Sequence, residues 1–563
     1  MNVSPIIAQL LLNRDIRTPE AGKRFLDAPL IGLHAPGLLP GINEAVERLS
    51  AAITAKKRIC IYGDYDVDGV TGTSILWGLL TKLGANVEYY IPRRLDEGYG
   101  LNSAALEQFK ASGVDVVVTV DCGIASIAEA DVAKQLGLEL IITDHHEMKD
   151  TLPAADVLVH PRLPGSAYPF DGLSGAGVAF KLAWALAQKI SGGEKVSAPL
   201  REFLLDAVAL AALGLVADVV PLHDENRIYV RAGLQRLRDQ PPLGMKALIE
   251  SAGLAATPQL RAEDIGFRLA PRMNAAGRLG YAGLVVELLT TTNAVRAKEI
   301  AQHLENENAA RQSLERKMTA QAKEMLEGED LAKMPAAVLS HSDWHPGVIG
   351  IVAGRIVEQI GRPTLIIAAK EGQPMVTGSG RSIPGFELHH ALKACESDLM
   401  GHGGHAMAAG FKIAPGRIHA FRDRFREYAA KHFPQGAPPP PSISIDAEAP
   451  LVMLTLGLMK DINRLEPYGA QNPKPKFMTG NLVIVGEPRK IGKDARHLSF
   501  PVRQGTTQLR TVAFGMAERF DELMSAGGKC CLVYSPMINE WQGRRSVELN
   551  VIDFQAGETA NLG

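Results

Sequence analysis

The sequence predicts an α/β protein that ends in a small β-barrel, and three observations support this prediction. From residue 58 to about residue 160, short apolar segments rich in β-branched residues alternate with helical patterns, as in a parallel sheet covered by helices on both faces. A shorter strand–helix–strand pattern follows at 336–368. After a proline-rich linker at 436–442, five short strand-like segments separated by turn residues are typical of a small barrel such as the OB-fold.

The composition excludes several classes of protein. The 563 residues are enough for three or four domains at roughly 100–200 residues each. With 46% hydrophobic and 22% charged residues, the chain is neither disordered, collagen-like nor a coiled-coil rod. Its five cysteines form no CxxC pair, which argues against a zinc ribbon or a disulfide framework. We find neither a signal-peptide pattern nor a run of ~20 apolar residues, so we expect a cytoplasmic protein without a membrane partner.

The first domain is predicted to be a doubly wound parallel sheet. Its strands are expected at residues 59–62, 87–91, 114–120, 138–143 and 157–159, and its helices at 73–83, 103–112 and 127–136. Each predicted strand is short and almost wholly apolar, which is typical of strands that are buried on both faces.

The same patterns divide the chain into five parts. A segment without glycine or proline at 294–327 predicts one long helix that connects two domains. The proline-rich linker marks another boundary, because consecutive prolines cannot continue a helix or a central strand. The parts are an N-terminal helical segment (1–50), the doubly wound domain (51–225), a helical region with the connector helix (226–330), a second α/β domain (331–435) and the OB-like barrel (436–563).

Acidic and imidazole side chains follow three strands of the first predicted sheet. They are Asp64, Asp66 and Asp68 after the first strand, Asp121 after the third, and Asp144, His145 and His146 after the fourth. The carboxyl ends of neighbouring parallel strands meet at one edge of a sheet, where ligands bind. Carboxylates crowded at this edge repel each other unless divalent cations offset their charge. Oxygen-rich ligation with one or two imidazoles suits Mn²⁺ or Mg²⁺, so the sequence predicts a site for one or, better, two such ions.

Each of these groups has an alternative interpretation when it is taken alone. An aspartate at a strand-to-helix junction is commonly a helix N-cap, and a pair of histidines is commonly structural. The DxDxDG pattern at 64–69 also begins calcium-binding EF-hand loops, but the twelfth position holds Ile75 instead of glutamate. Capping alone explains poorly why three successive junctions all carry such groups. Asp218, inside the apolar segment 207–220, is either a metal ligand or half of a buried ion pair.

Four motifs resemble those of the DHH phosphoesterase superfamily, namely residues 64–69, Asp121, the triplet Asp144-His145-His146, and Asp218. The glycine-rich segment GHGGHAMAAG at 401–410 resembles a motif of the associated DHHA1 domain. More specific motifs are PRMNAAGRLG at 271–280, WHPGVIG at 344–350, GSGRS at 378–382 and EPYG at 466–469. Together they resemble the RecJ family of bacterial single-strand-specific exonucleases, from about residue 58 to the end of the sequence.

The resemblance implies a 5′→3′ exonuclease that degrades single-stranded DNA to mononucleotides in recombination and repair. Its implied cofactors are two Mn²⁺ or Mg²⁺ ions, which suit phosphodiester hydrolysis. The implied ligands are Asp121 between the ions, Asp68, His145 and Asp218 on one ion, and Asp66, alone or with Asp64, on the other. His146 would contact the scissile phosphate, and Asp144 would either orient an imidazole or serve as an N-cap or turn carboxylate.

The resemblance also implies which residues hold the strand. Arg94, Ser379 and Arg381 would form a pocket for the 5′ phosphate, because guanidinium groups bind phosphate through paired donors. The other implied DNA contacts are Tyr99, by stacking on a base, and Arg272, Asn274, Arg278 and His405. The implied partners are a single-stranded DNA with a 5′ end, a single-strand-binding protein and a RecQ-type helicase, and we expect the chain to be a monomer.

Two other functions are compatible with these motifs. A phosphodiesterase or phosphatase of the same superfamily would act on short oligonucleotides or other small phosphates. A binding module would keep the fold and lose the chemistry. The additional barrel argues against the first alternative, and the complete set of carboxylates and histidines argues against the second.

The net charge of −2 conceals an uneven distribution of charge. Residues 1–225 include 28 acidic and 19 basic residues, whereas the rest of the chain includes 34 acidic and 41 basic residues. The acidic excess coincides with the predicted metal ligands, where divalent cations would offset it. The basic excess coincides with the part that is predicted to hold DNA. A nearly neutral protein is therefore compatible with a nucleic-acid substrate.

Overall fold

The computed structural model describes residues 3–93, 97–98, 100–278, 280–331, 333–439, 442–525 and 527–557. Within these ranges the strands form three sheets. Across the same ranges, we find no helix with both the length and the apolar character that crossing a membrane requires.

The first sheet has five parallel strands in the order β2–β1–β3–β4–β5. Their bounds are Arg58–Gly63 (β1), Asn86–Tyr90 (β2), Val116–Val120 (β3), Glu139–Thr143 (β4) and Val157–Val159 (β5). All five predicted strands are confirmed, and the central strand β3 is buried at every position. The strand order reverses between β1 and β3, and in sheets of this kind ligands bind at the carboxyl ends of the strands at such a reversal.

Helices cover this sheet and continue into a helical region. They are α1 (Pro5–Leu12), α2 (Pro19–Asp27), α3 (Ile42–Thr54), α4 (Val67–Lys82), α5 (Ser103–Ala111), α6 (Ile127–Leu136), α7 (Gly175–Ile190), α8 (Ala198–Ala217), α9 (Asp224–Asp239), α10 (Leu243–Ser251), α11 (Ala262–Asp264), α12 (Ala270–Arg278), α13 (Gly283–Thr290) and α14 (Ala294–Glu324). A π-helical turn, Ile265–Leu269, lies directly before α12. The 31 residues of α14 confirm the predicted long helix, which is about 46 Å long at 1.5 Å per residue.

The second sheet is mixed and has the order β6–β7–β8–β10–β9. Its strands are Ala337–His341 (β6), Thr364–Ala368 (β7), Val376–Arg381 (β8), Leu399–Gly404 (β9) and Ala408–Ile413 (β10), and its helices are Ile349–Ile360 (α15), Leu388–Ala394 (α16) and Ile418–His432 (α17). The sequence predicts β6, α15 and β7 but not the last three strands. The sequences of β8 and β9, VTGSGR and LMGHGG, are too rich in glycine to show the apolar pattern of a strand.

The third sheet closes into a barrel. Its strands are Ala447–Glu448 (β11), Phe477–Ile484 (β12), Arg489–Ile491 (β13), His497–Gln504 (β14), Thr507–Ala513 (β15), Lys529–Trp541 (β16) and Arg544–Ala556 (β17), with the helices Leu456–Asn463 (α18) and Phe520–Met524 (α19). The strand order is β11–β12–β16–β17–β15–β14–β13, and an additional pairing of β12 with β14 closes the circle. Five closed strands, β12 and β14 to β17, match the five predicted ones, so the OB-like barrel is confirmed.

The N-terminal helices pack against the barrel, far away in the sequence. Helix α1 buries four apolar side chains in the same cluster as the barrel core, namely Ile6, Ile7, Leu10 and Leu11. Arg227 of α9 is buried at this junction, with its guanidinium carbon 3.9 Å from the centre of the Phe25 ring. It donates hydrogen bonds of 2.7–2.9 Å to the backbone carbonyls of Phe25, Arg464, Leu465 and Glu466. One side chain therefore joins the N-terminal segment, the helical region and the segment before the barrel.

Candidate metal centre

The loop between β1 and α4 supplies the first group of carboxylates. Asp66 is the N-cap of α4, and its Oδ1 accepts hydrogen bonds from the N–H groups of Asp68 (2.9 Å) and Gly69 (3.1 Å). Oxygens of Asp64, Asp66 and Asp121 lie within 4.8 Å of one another. Capping and metal binding are therefore compatible at Asp66, since a carboxylate has two oxygens.

Asp68 is held by the N-terminus of α7. Its Oδ1 accepts hydrogen bonds from Ser174 Oγ (2.7 Å) and the Ala176 N–H (3.1 Å), and its Oδ2 accepts one from the Gly175 N–H (2.6 Å). The N-terminal end of a helix favours a negative charge. Burial nevertheless raises the pKa of Asp68 to about 6, with help from the charge of Asp66.

Asp121 follows β3 in a left-handed backbone conformation, with φ 65°. Its side chain lies against the start of α7, where a Cβ at Gly175 would be 2.5 Å from the Cβ of Asp121. Glycine at position 175 is required by this approach. Burial raises the pKa of Asp121 well above its usual range, and the charges of Asp68 and Asp66 add to the effect.

The segment after β4 combines a carboxylate with two imidazoles. Oδ1 of Asp144 accepts hydrogen bonds from the N–H groups of His145 (2.7 Å) and His146 (3.1 Å) and lies 2.7 Å from His146 Nδ1, while its Oδ2 accepts from the Ile124 N–H at 2.9 Å. Burial favours a low pKa for His146, but the hydrogen bond to Asp144 and its charge raise the pKa to about 9. The same pair holds the pKa of Asp144 well below its usual range, although burial opposes this.

His145 lies at the centre of the assembled cluster. Its Nε2 is 3.1 Å from Asp121 Oδ1, 3.5 Å from Asp218 Oδ2 and 3.8 Å from Asp68 Oδ2. Burial lowers its pKa to about 3, so the ring is neutral, which is the form that binds metals. Asp218, at the C-terminal end of α8, thus belongs to the same site as the three strand ends.

The cluster has the chemistry of a site for divalent cations. Its potential ligands form three overlapping groups, namely Asp64 with Asp66 and Asp121, Asp68 with His145 and Asp218, and Asp121 with His145 and His146. Oδ1 of Asp64 is buried and has no hydrogen-bond partner within the described ranges. Burial raises the pKa of Asp64 well above its usual range and that of Asp218 to about 9. Carboxylates bind a cation in their deprotonated form, so protons and cations compete for these groups.

Helix α12 lies between the cluster and the second α/β unit. A Cβ at Gly277 would be 2.6 Å from the carbonyl oxygen of Tyr65, in the loop that carries the first carboxylates. Arg278 Nη1 donates a 2.6 Å hydrogen bond to the carbonyl of Gly347 in the second unit. Arg272 forms an ion pair with Glu305 of α14, and Asn274 is half-buried in α12. The predicted roles of Arg272, Asn274 and Arg278 in DNA binding stay predictions.

Ser379 and Arg381 lie together on β8, beside the first turn of α15. Arg381 Nη1 donates to Ser379 Oγ (3.4 Å) and to the carbonyl of Gly380 (2.8 Å). A Cβ at Gly350 would be 3.0 Å from Ser379 Oγ and 3.1 Å from Arg381 Nη2. Guanidinium, hydroxyl and the positive end of a helix favour an anion at this place. Arg94, the third predicted phosphate ligand, lies outside the described residues.

His405 faces the cluster from the second unit. Its Nδ1 is 3.8 Å from Oε2 of Glu147, which directly follows the two histidines of the cluster. Both side chains are exposed, so this contact is open to solvent. Tyr99, the predicted stacking residue, lies outside the described residues.

The structure also identifies residues that sequence reasoning did not assign. Ser174 holds Asp68, and a Cβ at Gly214 would be 2.3 Å from Asp68 Oδ1. The His160 ring donates to the carbonyl of His146 (2.9 Å), and Arg162 donates to that of His145. The glycine-rich run GLSGAG at 172–177, within which α7 begins, is a visible signal for Ser174. His160 and Arg162 carry no such signal.

Comparisons with known proteins agree with this geometry. Three family models match the chain: the DHH family N-terminal domain at residues 58–212, the DHHA1 domain at 333–431 and the RecJ OB domain at 445–553. A single-stranded-DNA-specific exonuclease RecJ of Bacillus subtilis is 39% identical over 99% of this chain and 69% of its own length. Crystal structures of RecJ from Thermus thermophilus with Mn²⁺ and with Mg²⁺ are 33% and 32% identical, with TM-scores of 0.83 and 0.77. Each match covers 99% of this chain and 76% of the matched RecJ chain.

Proposed function

The chain belongs to the RecJ family of single-stranded-DNA-specific exonucleases, and we propose that it hydrolyses single-stranded DNA from the 5′ end and releases 5′-mononucleotides. The observation that carries this proposal is the convergence of five carboxylates and two imidazoles at the edge of the first sheet. The family acts in recombination and repair of DNA, and we assign the same role to this chain.

We propose that the cluster holds two Mn²⁺ or Mg²⁺ ions. Asp121 contributes to both, because it lies close to Asp64 and Asp66 on one side and to His145 on the other. Asp68, His145 and Asp218 complete one site, and Asp66 with Asp64 completes the other. Such a pair of ions supplies an activated water and stabilises the leaving oxygen in phosphodiester hydrolysis.

The residues around the ligands orient them. Ser174 and the N-terminus of α7 fix both oxygens of Asp68, so that its carboxylate points into the cluster. Asp144 accepts from Nδ1 of His146 and so stabilises the imidazolium. We propose that His146 donates a hydrogen bond to the scissile phosphate through its other ring nitrogen, where a cation offsets the charge that develops in the transition state.

The polarity of degradation is proposed to come from the second α/β unit. Ser379 and Arg381, together with Arg94, would hold the 5′-terminal phosphate. Arg278 of α12 donates a hydrogen bond to the carbonyl of Gly347 in this unit, and we propose that this contact helps to set the distance between the phosphate pocket and the ions. When this distance is the same in each cycle, the enzyme releases the same product each time. We propose that this product is a mononucleotide.

We also propose how the chain operates in the cell. It acts in the cytoplasm as a monomer, on strands that a RecQ-type helicase separates and a single-strand-binding protein covers. An exonuclease that accepts only single strands requires a supply of unwound DNA, which supports such partners. Light scattering coupled to size exclusion tests the proposed monomer.

The decisive experiment is the digestion of single strands labelled at either end, with or without a 5′ phosphate, in Mn²⁺. We expect mononucleotides from the 5′ end only, faster with the 5′ phosphate and not at all in the presence of EDTA. Arg381→Ala should reduce the preference for the 5′ phosphate, whereas Arg417→Ala, an exposed arginine of the same unit, should not.

Three results would contradict the proposal. Release from the 3′ end would exclude the polarity. A preference for a dinucleotide over a long strand would favour a phosphodiesterase of small substrates. Strand binding without metal-dependent release of nucleotides would favour a binding module that has lost its activity.

A further inference from the structure

Two exposed apolar side chains lie on segments that meet at the end of α8, which leads into Asp218 of the cluster. Phe267 is 78% exposed in the middle of the π-helical turn, and Val219, which directly follows Asp218, is 69% exposed. The proposed hydrolysis assigns neither of them a role. Single apolar residues on a surface are common, so their backbone and their surroundings must decide whether they have a function.

The backbone is unusual at both positions. Val219 has φ 60°, and within the described ranges it is the one β-branched residue with a left-handed φ. Such a conformation is strained in a β-branched residue, and strained residues cluster at active sites and ligand-binding sites. A π-helical turn is also rare in proteins and is frequently found at functional sites. Two independent irregularities therefore coincide next to the cluster.

The backbone segments that carry Phe267 and Val219 pack close to the cluster. A Cβ at Gly266 would be 3.7 Å from Val216 Cγ1, so the π-helical turn packs on the last turn of α8, which ends just before Asp218. Helix α12 follows the turn directly, and its Gly277 touches the loop of the first carboxylates. On the other side, the Leu222 N–H donates a 2.8 Å hydrogen bond to the carbonyl of Ala470 before the barrel. Neither segment can move away from the cluster without breaking these contacts.

A cleft lined by Asp264 and Arg268, on either side of the segment that carries Phe267, offers little net positive charge. It has a volume of about 500 Å³ and lies between the helical region and the barrel. Its arginines are paired with carboxylates, Arg261 with Glu466 (3.6 Å), Arg268 with Asp264 (3.8 Å) and Arg545 with Glu540 (3.0 Å). A strand that leaves the cluster in this direction is therefore held more by its bases than by its phosphates.

We propose that Phe267 and Val219 form an apolar step that binds one unpaired nucleobase on the 3′ side of the scissile phosphate. This inference rests on the proposed exonuclease function and specifies one of its substrate contacts. The 5′ end lies toward Ser379 and Arg381, so the rest of the strand leaves on the opposite side, past the end of α8. An aromatic ring stacks on any exposed base face, whereas in a duplex both faces of a base are covered by its neighbours.

The test combines a protein variant with a missing base. Single strands carry one abasic site, placed in turn at the second to the sixth nucleotide, and kcat/KM is measured for the wild-type protein and for Phe267→Ala. We expect the kcat/KM of the wild type to fall about tenfold when the abasic site stands at one particular position. This factor corresponds to the free energy of one base–aromatic stack. The kcat/KM of Phe267→Ala on the intact strand should be about tenfold below that of the wild type, and an abasic site at that position should not lower it further. Phe267→Trp should restore the kcat/KM of the wild type.

Val219→Ala should reduce kcat/KM on the intact strand by a smaller factor than Phe267→Ala. An abasic site at the same position as for Phe267 should remove this difference from the wild type. Ile31→Ala is the matched control, because Ile31 is 93% exposed in the N-terminal segment and should behave like the wild type. The inference is wrong if the abasic site costs the wild type and Phe267→Ala the same factor at every position, or if Phe267→Ala has no effect. If even the wild type releases no nucleotides, it is the proposed exonuclease function that fails.

Discussion

Asp68 illustrates how a few neighbouring groups prepare one carboxylate for a metal ion. It is buried, and Ser174 and two backbone N–H groups at the start of α7 hold its two oxygens. Ser174 has two functions at once, since its hydroxyl donates to Asp68 and accepts from the Gly177 N–H as the N-cap of α7. The orientation of this proposed ligand therefore depends on Ser174, which lies outside the three groups of potential metal ligands.

Ser174→Ala should weaken the binding of Mn²⁺ by about 10–100-fold, because groups that orient a metal ligand contribute this much to affinity. Loss of the N-cap should also cost about 1 kcal/mol of stability. Isothermal titration with Mn²⁺ measures the first effect, and thermal unfolding in EDTA measures the second.

Thr18→Ala separates the two effects. Thr18 caps α2 by accepting from the Ala21 N–H, far from the cluster in the sequence and in the fold. This control should lose comparable stability and keep the affinity of the wild type for Mn²⁺. Equal affinities in both variants would show that Ser174 does not orient Asp68.

Residues in short motifs after strands were predictable, and residues that act through the backbone were not. Asp64, Asp121 and His145 could be placed together because parallel strands end at one edge. For Asp218 the sequence is compatible with both a metal ligand and a buried ion pair. This residue lies at the end of a helix, and only the packing of α8 brings it close to His145. Arg162 donates to a backbone carbonyl, and no residue pattern records such a contact.

At the scale of elements, α12 joins the first sheet to the second unit. Its Gly277 contacts the backbone of the loop between β1 and α4, here called the metal loop, and its last residue, Arg278, donates a hydrogen bond to the second unit. A side chain at 277 would meet a backbone oxygen, which cannot rotate away as a flexible side chain can. The position of α12 relative to the cluster is therefore set by the absence of a single methyl group.

Gly277→Ala should destabilise the protein by about 1–3 kcal/mol, the usual cost of overpacking, and should reduce kcat by moving α12 away from the metal loop. Chemical unfolding and steady-state digestion of a single strand measure the two quantities.

The matched control is Gly283→Ala in the neighbouring α13, where a Cβ would meet no atom within 4 Å. It should leave kcat unchanged and keep or slightly raise the stability, because alanine favours a helix over glycine. A kcat equal to that of the wild type in Gly277→Ala would contradict the role assigned to α12.

The elements also separate what sequence patterns can predict from what they cannot. Strands β1, β3 and β4 are buried on both faces, so their sequences are apolar runs that are easily recognised. Strand β8 consists largely of glycine, serine and polar residues, because its backbone approaches neighbouring side chains closely, whereas strand β9, with three glycines, is exposed along most of its length. At Gly378, for example, a Cβ would be 2.1 Å from the ring of Phe411. Close packing of this kind removes the pattern that would predict the strand.

At the scale of the whole molecule, Arg227 connects parts of the chain that are distant in sequence. Burial lowers its pKa to about 9, and the four carbonyls that it binds belong to the N-terminal segment and to the segment before the barrel. A buried guanidinium is stable only when its donors are satisfied, and here backbone groups satisfy them.

Arg227→Ala should lower the free energy of unfolding by about 3 kcal/mol or more, since it leaves several buried carbonyls without a donor. It should also expose the N-terminal segment, so limited proteolysis should cut before residue 30 earlier than in the wild type. Arg238→Ala, an exposed arginine of the same helix paired with Asp239, should change neither result. Equal proteolysis of all three proteins would argue against a connecting role for Arg227.

The contact of α1 with the barrel sets an order for events on the ribosome. Asn13 bonds to Asp446, which lies 433 residues further along the chain, and translation at about 5–20 residues per second needs roughly 20–90 s to cover that distance. During this time the barrel against which the apolar face of α1 packs has not yet been synthesised, so this face is accessible to chaperones. The residues of α1 are thus buried long after their synthesis, and folding of this protein is complete only after the barrel has left the ribosome.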